Sequence, residues 1–382
     1  MALTKVSTGV VDMSQDTGGL VIAKGTTAQQ PTCDASILGS IRENTTENKV
    51  EVCTSTGWQF LEEGGSTITP FSLEYLVVGG GGAGYARNVG MFYVGGAGAG
   101  GYRTNFQGTA LTPTLPVTYT ITVGFGGTSA ITTYPNQGTY TDGGNSIITD
   151  SASFNITANG GAKGPNGVGS GVGSVGTSGG SGSGGPGQGS FTGGSGNIGG
   201  FTPPEGNSGG NGGGADGGGG GGGGSSSSGS AGASVSTSVP TGYGGTGTLN
   251  TITGTNVYYG VGGSGGCSAY DAGGANYNTA TPPQANYDTT NSATLGTGNG
   301  GTVPPVYAYP NNAYQNFNST YLEFTHGKSG CVVLRFPTAS ATFSSSNATN
   351  CSTADFTNGG YTVKKFTCTN SLVAGTITVT LT

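Results

Sequence analysis

Glycine most limits what this chain can fold into. It supplies 83 of the 382 residues, roughly three times its usual share. An interior glycine costs about 1 kcal/mol in an α-helix relative to alanine, and no stretch of the sequence shows a helical apolar period. The composition therefore predicts a mostly β and irregular fold, with short β modules flanking a glycine-rich body and almost no α-helix.

In one long stretch, glycine recurs at every third position. In GGAKGPNGVGSGVGSVGTSGGSGSGGPG it occupies positions 161, 164, 167, 173, 176, 179, 182 and 185, and Ser170 interrupts the repeat. Polyglycine II helices have three residues per turn and no internal hydrogen bonds, so each needs neighbouring chains. Collagen shares this period, but 16 prolines are too few for a triple helix. We therefore predict polyglycine II-like helices, except in DGGGGGGGGSSSSGS (216–230), which is typical of a flexible linker.

Changes in composition divide the chain into three regions. Residues 1–65 contain a hairpin pattern around the turn ENTTENK. Residues 66–337 form the glycine-rich body, which opens with EYLVV, closes with SGCVVLRFP and holds the alternating segment TYTITVGFGG. Residues 338–382 contain YTVKKFTC and TITVTLT and indicate a separate small β module. A lone hairpin is marginally stable, so we expect the first region to need partners, such as copies of itself.

Charge and hydropathy exclude several classes of partner. The net charge is −6 and only 7% of residues are charged, without the basic cluster typical of nucleic-acid binding. No run of 18 apolar residues predicts a membrane span. Because the first residues lack a signal-peptide pattern, we expect synthesis in a host cytoplasm.

Cysteine and histidine spacing excludes a zinc site. The cysteines are Cys33, Cys53, Cys267, Cys331, Cys351 and Cys368, none in a C-x-x-C pair, and the sole histidine is His326. Zinc ligands cluster at short spacings, so we expect no metal and no cofactor. The local spacings favour disulfides, with Cys33 paired to Cys53 and Cys351 to Cys368. Six free thiols are the alternative.

The motif EYLVVGGGGAGY, residues 74–85, matches the dinucleotide pattern G-x-G-x-x-G. A nucleotide site also needs a helix after the third glycine and an acidic residue about 20 positions later. Further glycines follow instead, and no acidic residue lies between Glu74 and Asp142. The motif is therefore not a nucleotide site.

The sequence offers little for catalysis. A nucleophilic triad would have to use His326, which lies in EFTHGKSG, a segment that the sequence predicts to be a turn. A glycoside hydrolase needs two carboxylates at a suitable separation, and no spacing singles out a pair. The candidate carboxylates are Asp142, Glu205, Asp216, Asp271, Asp288 and Glu323. We expect no enzymatic activity.

Aromatic and amide side chains concentrate in VYAYPNNAYQNFNSTYLEF. Tyrosine and asparagine together are typical of binding loops, so we predict receptor contacts here. The residues are Tyr307, Tyr309, Asn311, Asn312, Tyr314 and Phe317, with Tyr258 and Tyr259 as second candidates. The alternative is that these tyrosines cover a β-layer or form a subunit contact.

The body resembles the glycine-rich domain of bacteriophage tail-fibre and adhesin proteins. The matching motifs, in order over about residues 74–337, are EYLVVGGGGAG, GGAGAGGYR, YTITVGFGG, GGNSII, ITANGGAKG and SGCVVLRFP. Residues 25–61 are similar to a short module of phage fibre proteins, and FTNGGYTVKKFT to strands that accompany the same domain. The cysteines depart from that pattern.

The resemblance implies a non-enzymatic virion-surface protein. It would form homo-oligomers, often trimers, and contact other virion proteins through its N-terminal region. Glycine-rich helices would support exposed loops that bind a glycan or protein on the host cell. The alternative is a purely structural capsid-surface or filament protein without receptor specificity.

Overall fold

The computed structural model describes residues 22–61, 71–84, 94–129, 140–152, 154–165, 174–187, 191–214, 217–233, 242–266, 296–301, 326–368 and 373–382. The chain divides into two units, Met1–Pro70 and Phe71–Thr382. Each is described by itself.

Extended backbone dominates both units. The strands are β1 (Ala23–Gly25), β2 (Ile41–Asn44), β3 (Lys49–Thr54), β4 (Gly57–Leu61), β5 (Glu74–Val78), β6 (Tyr102–Thr104), β7 (Val117–Val123), β8 (Ser146–Asp150), β9 (Asn155–Ala158), β10 (Thr248–Asn250), β11 (Val257–Tyr259), β12 (Cys331–Pro337), β13 (Phe343–Thr349), β14 (Cys351–Asn358), β15 (Tyr361–Cys368) and β16 (Gly375–Leu381). The described residues contain one short 3-10 helix, Thr27–Gln29, and no α-helix. The predicted mostly β and irregular fold class is confirmed.

The first unit is a small sheet in the order β1-β2-β3-β4. The expected hairpin around ENTTENK is formed by β2 and β3, with Ile41 opposite Val52. Asn48 adopts φ 53° in the turn between them, a left-handed conformation that asparagine tolerates. A disulfide between Cys33 and Cys53 ties the preceding loop to β3.

The second unit is built on a sandwich of two five-stranded sheets. Their orders are β14-β15-β12-β5-β6 and β13-β16-β7-β8-β9. The apolar cluster between them takes Val77 and Leu334 from the first sheet, and Ile121 and Val379 from the second. Leu76 on β5 belongs to a second cluster, on the outer face of the first sheet, which the β10–β11 hairpin covers. Burial on both faces explains why residues 75–78 and 331–334 are continuously apolar.

Residues 338–382 complete this sandwich, so they are not the separate module that the sequence indicated. Strand β15 lies between β14 and β12, and β16 lies between β13 and β7. The guanidinium carbon of Arg335 on β12 lies 3.4 Å from the ring centre of Tyr361 on β15. The alternating apolar residues of the tail need a sheet to pack against. The core of the second unit meets this need, with Phe366 and Val379 fully buried in it.

The sandwich strands continue directly into a bundle of extended, glycine-rich segments, here called the glycine bundle. Strands β5, β7 and β9 run into residues 79–84, 124–128 and 159–165, while β6, β8 and β12 are preceded by 94–101, 141–145 and 326–330. Backbone hydrogen bonds join these segments across the two sheets, as from Gly80 N–H to the Gly144 carbonyl (2.9 Å) and from Gly330 N–H to the Gly124 carbonyl (2.9 Å).

Residues 217–224 form the central segment of the glycine bundle, and their hydrogen bonds repeat every third residue. The N–H groups of Gly219 and Gly222 donate to the carbonyls of Gly266 and Gly263. Those of Gly220 and Gly223 donate to the carbonyls of Gly185 and Gly182, and those of Gly221 and Gly224 to the carbonyls of Ser230 and Ser227. The carbonyls of Gly218, Gly221 and Gly224 accept from the N–H groups of Gly213, Gly210 and Asn207. The carbonyls of Gly220 and Gly223 accept from Gly96 and Ala99, and that of Gly222 accepts from Gly245. The central segment thus touches a neighbour in six directions, with the threefold repeat of a polyglycine II helix.

The eight glycines 217–224 are therefore not the flexible linker that their composition indicated. All of them are buried. A Cβ placed on Gly219, Gly220, Gly221 or Gly222 would come closer than 3.0 Å to a neighbouring backbone carbonyl. None of these glycines has a positive φ, so lack of space for a side chain, not backbone conformation, requires glycine here. A run of glycines in a flexible linker and one in a helix surrounded by neighbouring segments have the same local sequence, so sequence alone does not distinguish them.

Candidate functional site

The described residues that flank seven chain connections lie at the end of the glycine bundle remote from the sandwich, here called the distal end. The segments that follow β5, β7 and β9 leave the sandwich toward this end. The central segment runs antiparallel to residues 263–266, as the bonds from Gly219 to Gly266 and from Gly222 to Gly263 show. The described residues next to each of the following connections lie at the distal end: 85–93, 130–139, 166–173, 188–190, 215–216, 234–241 and 302–325. The fold thus brings chain from distant parts of the sequence to one end.

A polar cluster lies at the distal end around the sole histidine. Ser129 donates its backbone N–H to His326 Nδ1 at 2.9 Å, so Nε2 carries the proton of the neutral ring. Ser129 also forms an isolated antiparallel bridge with Tyr140. Residues nearly 200 positions apart in the chain therefore meet where connections 130–139 and 302–325 begin and end.

Lys163 adds a cation to this cluster. Its Nζ lies 5.7 Å from the ring centre of Tyr140, within the range of a cation–π contact. Its backbone N–H donates to Asp142 Oδ1 at 2.8 Å. A cation, a carboxylate, an aromatic ring and an imidazole therefore lie together, which suits the binding of a polar ligand. Sequence reasoning missed Tyr140 and Lys163, because only the glycine bundle brings them together.

The predicted receptor residues are placed unequally. Tyr307, Tyr309, Asn311, Asn312, Tyr314 and Phe317 lie outside the described residues. The chain enters their segment after Gly301 and leaves it before His326, both at the distal end.

Tyr258 and Tyr259 lie at the opposite end of the glycine bundle, on β11. Tyr258 is 53% exposed and offers an accessible ring. Tyr259 is fully buried, with Lys365 Nζ 5.6 Å from its ring centre, and burial raises the pKa of its hydroxyl. Tyr259 is thus a core residue that presents no surface to a receptor.

Two candidate carboxylates are described, and they have separate roles. Glu205 is fully buried and accepts hydrogen bonds from the backbone N–H (2.9 Å) and side-chain amide (2.6 Å) of Asn159. Asp142 contacts Lys163 instead. Asn159 and Lys163, the residues that the two carboxylates contact, are four residues apart, or about 12 Å at the rise of an extended helix. This distance exceeds the separation between the two catalytic carboxylates of glycoside hydrolases. Asp216, Asp271, Asp288 and Glu323 lie outside the described residues.

The described cysteines divide into one disulfide and three free thiols, of which Cys351 is only partly buried. Cys33 and Cys53 are bonded, whereas Cys331, Cys351 and Cys368 are free and Cys267 lies outside the described part of the chain. Cys351 and Cys368 sit directly opposite each other on β14 and β15, the pair that spacing favoured, but as thiols. Burial raises the pKa of both Cys331 and Cys351 to about 11.

The described residues include no group of three or more His, Cys, Asp or Glu side chains arranged to hold a metal ion. Among the same residues, no helix has the length and apolarity needed to cross a membrane.

Residues 64–337 match the family model of the glycine-rich domain. The chain belongs to this glycine-rich domain family. The match spans β5 to β12 and the whole glycine bundle, and it ends before β13. Since β15 and β16 are interior strands of the two sheets, the glycine-rich domain of this protein folds together with residues that lie beyond the family match. No curated protein and no solved structure matches the chain.

Proposed function

We propose that this protein is a fibre or adhesin subunit on the surface of a virus particle and attaches the particle to its host without catalysis. The observation that carries the proposal is that the described residues flanking seven chain connections lie together at the distal end of the glycine bundle. Binding residues concentrate on loops held by a rigid scaffold. Segment 302–325, with its tyrosines and asparagines, is one of these connections.

The bundle suits such a scaffold for a physical reason. Its helices are held by backbone hydrogen bonds, with glycine at the contacts, so its stability does not depend on the connections. Those connections are then free to vary with the receptor. The receptor is a glycan or protein on the host cell, because stacked aromatic rings and amide groups recognise both.

The assembly completes the proposal. The subunit forms a homo-oligomer, a trimer, and its N-terminal unit contacts other virion proteins after synthesis in the host cytoplasm. Identical copies multiply weak receptor contacts into firm attachment.

A competition experiment tests the proposal. The purified full chain is offered to candidate host cells, and attachment of the parent virus particle is then measured. We expect saturable binding that blocks the particle. A folded, oligomeric preparation that neither binds nor blocks overturns the attachment function and favours a purely structural capsid-surface or filament protein.

Two variants locate the contact. Changing Tyr307, Tyr309 and Tyr314 together to Ala is expected to abolish blocking. Tyr258→Ala removes an exposed ring at the opposite end of the glycine bundle and is expected to block like the unchanged chain. The reverse pattern would place the receptor contact at the sandwich end and refute the distal site.

A further inference from the structure

Two of the free thiols lie side by side on neighbouring strands. Cys351, the first residue of β14, is directly opposite Cys368, the last residue of β15. Directly opposite residues of an antiparallel pair project from the same face of the sheet, and both cysteines contact the apolar cluster between the two sheets. Cys368 is fully buried, whereas Cys351 is only partly buried. A reagent in solution therefore reaches the pair through Cys351.

The hairpin turn fixes the spacing of this pair. β14 and β15 are joined by the two-residue loop Gly359–Gly360, in which φ is 57° and 83°. Two positive φ values define a type I′ turn, so the flanking residues Asn358 and Tyr361 form a hydrogen-bonded pair. Hydrogen-bonded and non-hydrogen-bonded pairs alternate along an antiparallel ladder, and the register is continuous from the turn to the cysteines.

This alternation makes the two cysteines a non-hydrogen-bonded pair, because Cys351 lies an odd number of positions from Asn358. The Cα atoms of such a pair are about 4.5 Å apart, and their side chains are closer than in a hydrogen-bonded pair. Disulfides join Cα atoms that are about 4.4–6.8 Å apart. Cys351 and Cys368 can therefore be joined with little movement of either strand.

The third described free thiol is separated from this pair. Cys331 on β12 is fully buried in the apolar cluster on the outer face of the first sheet, whereas Cys368 belongs to the inner cluster. The two side chains thus project from opposite faces of the sheet. Among the described free thiols, Cys351 is the one placed to bond with Cys368.

The pair lies at a corner of the sandwich. Only Asn350 separates β13, an edge strand of the second sheet, from β14, an edge strand of the first. β14 pairs with β15 alone, and the cysteines lie at the end of this hairpin remote from its turn. A bond between them would close the hairpin at both ends and fix the corner to an interior strand.

We propose that Cys351 and Cys368 are a redox-modification site, at which a small-molecule disulfide such as oxidised glutathione converts the two thiols into a cross-strand disulfide that stabilises the sandwich. Disulfides form and persist in oxidising surroundings. The Cys33–Cys53 disulfide therefore indicates that the folded chain meets such surroundings.

The exchange takes two balanced steps. The Cys351 thiolate attacks one sulfur of the small-molecule disulfide, which breaks its S–S bond and releases one small thiolate. The Cys368 thiol then loses its proton and attacks the Cys351 sulfur, which releases the second small thiolate. The two released thiolates take up the two cysteine protons, so two protein thiols are oxidised while one small disulfide is reduced to two thiols.

The pair is expected to react slowly. Burial raises the pKa of the Cys351 thiol to about 11, so little of the attacking thiolate is present near neutral pH. Disulfide formation under such conditions takes hours.

Peptide mapping of the full-length protein tests the site. The protein is incubated with oxidised glutathione for hours, remaining thiols are alkylated, and the digest is analysed by mass spectrometry without reduction. We expect the peptides of Cys351 and Cys368 to be linked. We also expect the melting temperature to rise by about 6 °C on treatment, because the bond closes a loop of about 15 residues.

Two variants serve as matched controls. Cys351→Ser removes the partly buried member of the pair and is expected to show neither the link nor the rise in melting temperature. Cys331→Ala removes the thiol on the outer face and keeps the pair, so treatment should link and stabilise it as it does the unchanged chain.

Three results would overturn the modification site: both thiols still free after treatment, glutathione retained on Cys351 because Cys368 does not reach it, or a link from Cys351 to any other cysteine. A linked pair with an unchanged melting temperature refutes the stabilising role. None of these measurements involves host cells, so their outcome is independent of the proposed attachment function.

Discussion

The substitution Gly222→Ala tests why this chain contains so much glycine. Gly222 lies in the central segment, where its N–H donates to the Gly263 carbonyl at 2.8 Å and its own carbonyl accepts from Gly245 at 2.7 Å. A Cβ at this position would lie closer than 3.0 Å to the carbonyl of Ala97, which itself accepts from Gly263. The side chain therefore forces three neighbouring segments apart.

The magnitude follows from those contacts. Loss of the three hydrogen bonds costs about 1 kcal/mol each, and overpacking adds about 1–3 kcal/mol. The expected loss in the free energy of unfolding is thus about 4–6 kcal/mol, a large part of the stability of an ordinary domain. At about 2 °C per kcal/mol for a large domain, the melting temperature falls by about 10 °C.

Two matched substitutions separate space from backbone conformation. Gly108→Ala is exposed, and its Cβ meets nothing nearer than the Asn105 carbonyl at 3.3 Å, so we expect a loss below about 1 kcal/mol. Gly359 has φ +57° with nothing within 4 Å of its Cβ, so alanine there costs about 1–2 kcal/mol through conformation alone. Calorimetry of the three full-length variants compares them. A Gly222→Ala protein as stable as Gly108→Ala would refute the packing argument.

Three other outcomes are expected. Reducing the Cys33–Cys53 disulfide, which spans 20 residues, destabilises the N-terminal unit by about 3 kcal/mol; unchanged urea unfolding by Trp58 fluorescence would contradict this. A chain ending at Pro337 fails to form the sandwich, because it lacks interior strands of both sheets; native-like circular dichroism would show that the tail is dispensable. Cys331 resists alkylation at pH 8, since burial raises its pKa to about 11 and only the thiolate reacts; mass spectrometry showing rapid alkylation of the native protein would contradict it.

Local pattern was enough to predict some of the strands. Apolar runs indicated that EYLVV and CVVLRF are buried strands, and the two pair directly, with Val332 opposite Val77. Their pairing joins segments more than 250 residues apart, which local propensity cannot specify. The same limit explains why the tail strands, correctly expected as strands, were assigned to a module of their own.

The glycine-rich stretches were harder to interpret, because glycine carries no side-chain pattern. A three-residue period indicated polyglycine II-like helices, whereas eight consecutive glycines indicated a linker. In the structure, Gly217 and Gly219–Gly224 have no room for a Cβ, because neighbouring backbone surrounds the segment. Surface helices need glycine only on the side that faces the bundle, which leaves serine and alanine on the other.

The distal cluster could not be foreseen for a related reason. Tyr140, Lys163 and His326 are far apart in sequence and belong to no spacing motif. They meet because the fold brings the segments that carry them to the distal end.

Amide hydrogen exchange at Gly219–Gly224, followed by NMR on glycine-labelled full-length protein, tests the central structural claim most directly. Each of these amides donates to a neighbouring segment and is buried. We expect them to exchange only through global unfolding of the second unit, as slowly as the core strands β5 and β12. Exchange as fast as in a free glycine–serine linker would contradict the hydrogen-bonded bundle and the scaffold that the proposed attachment function rests on.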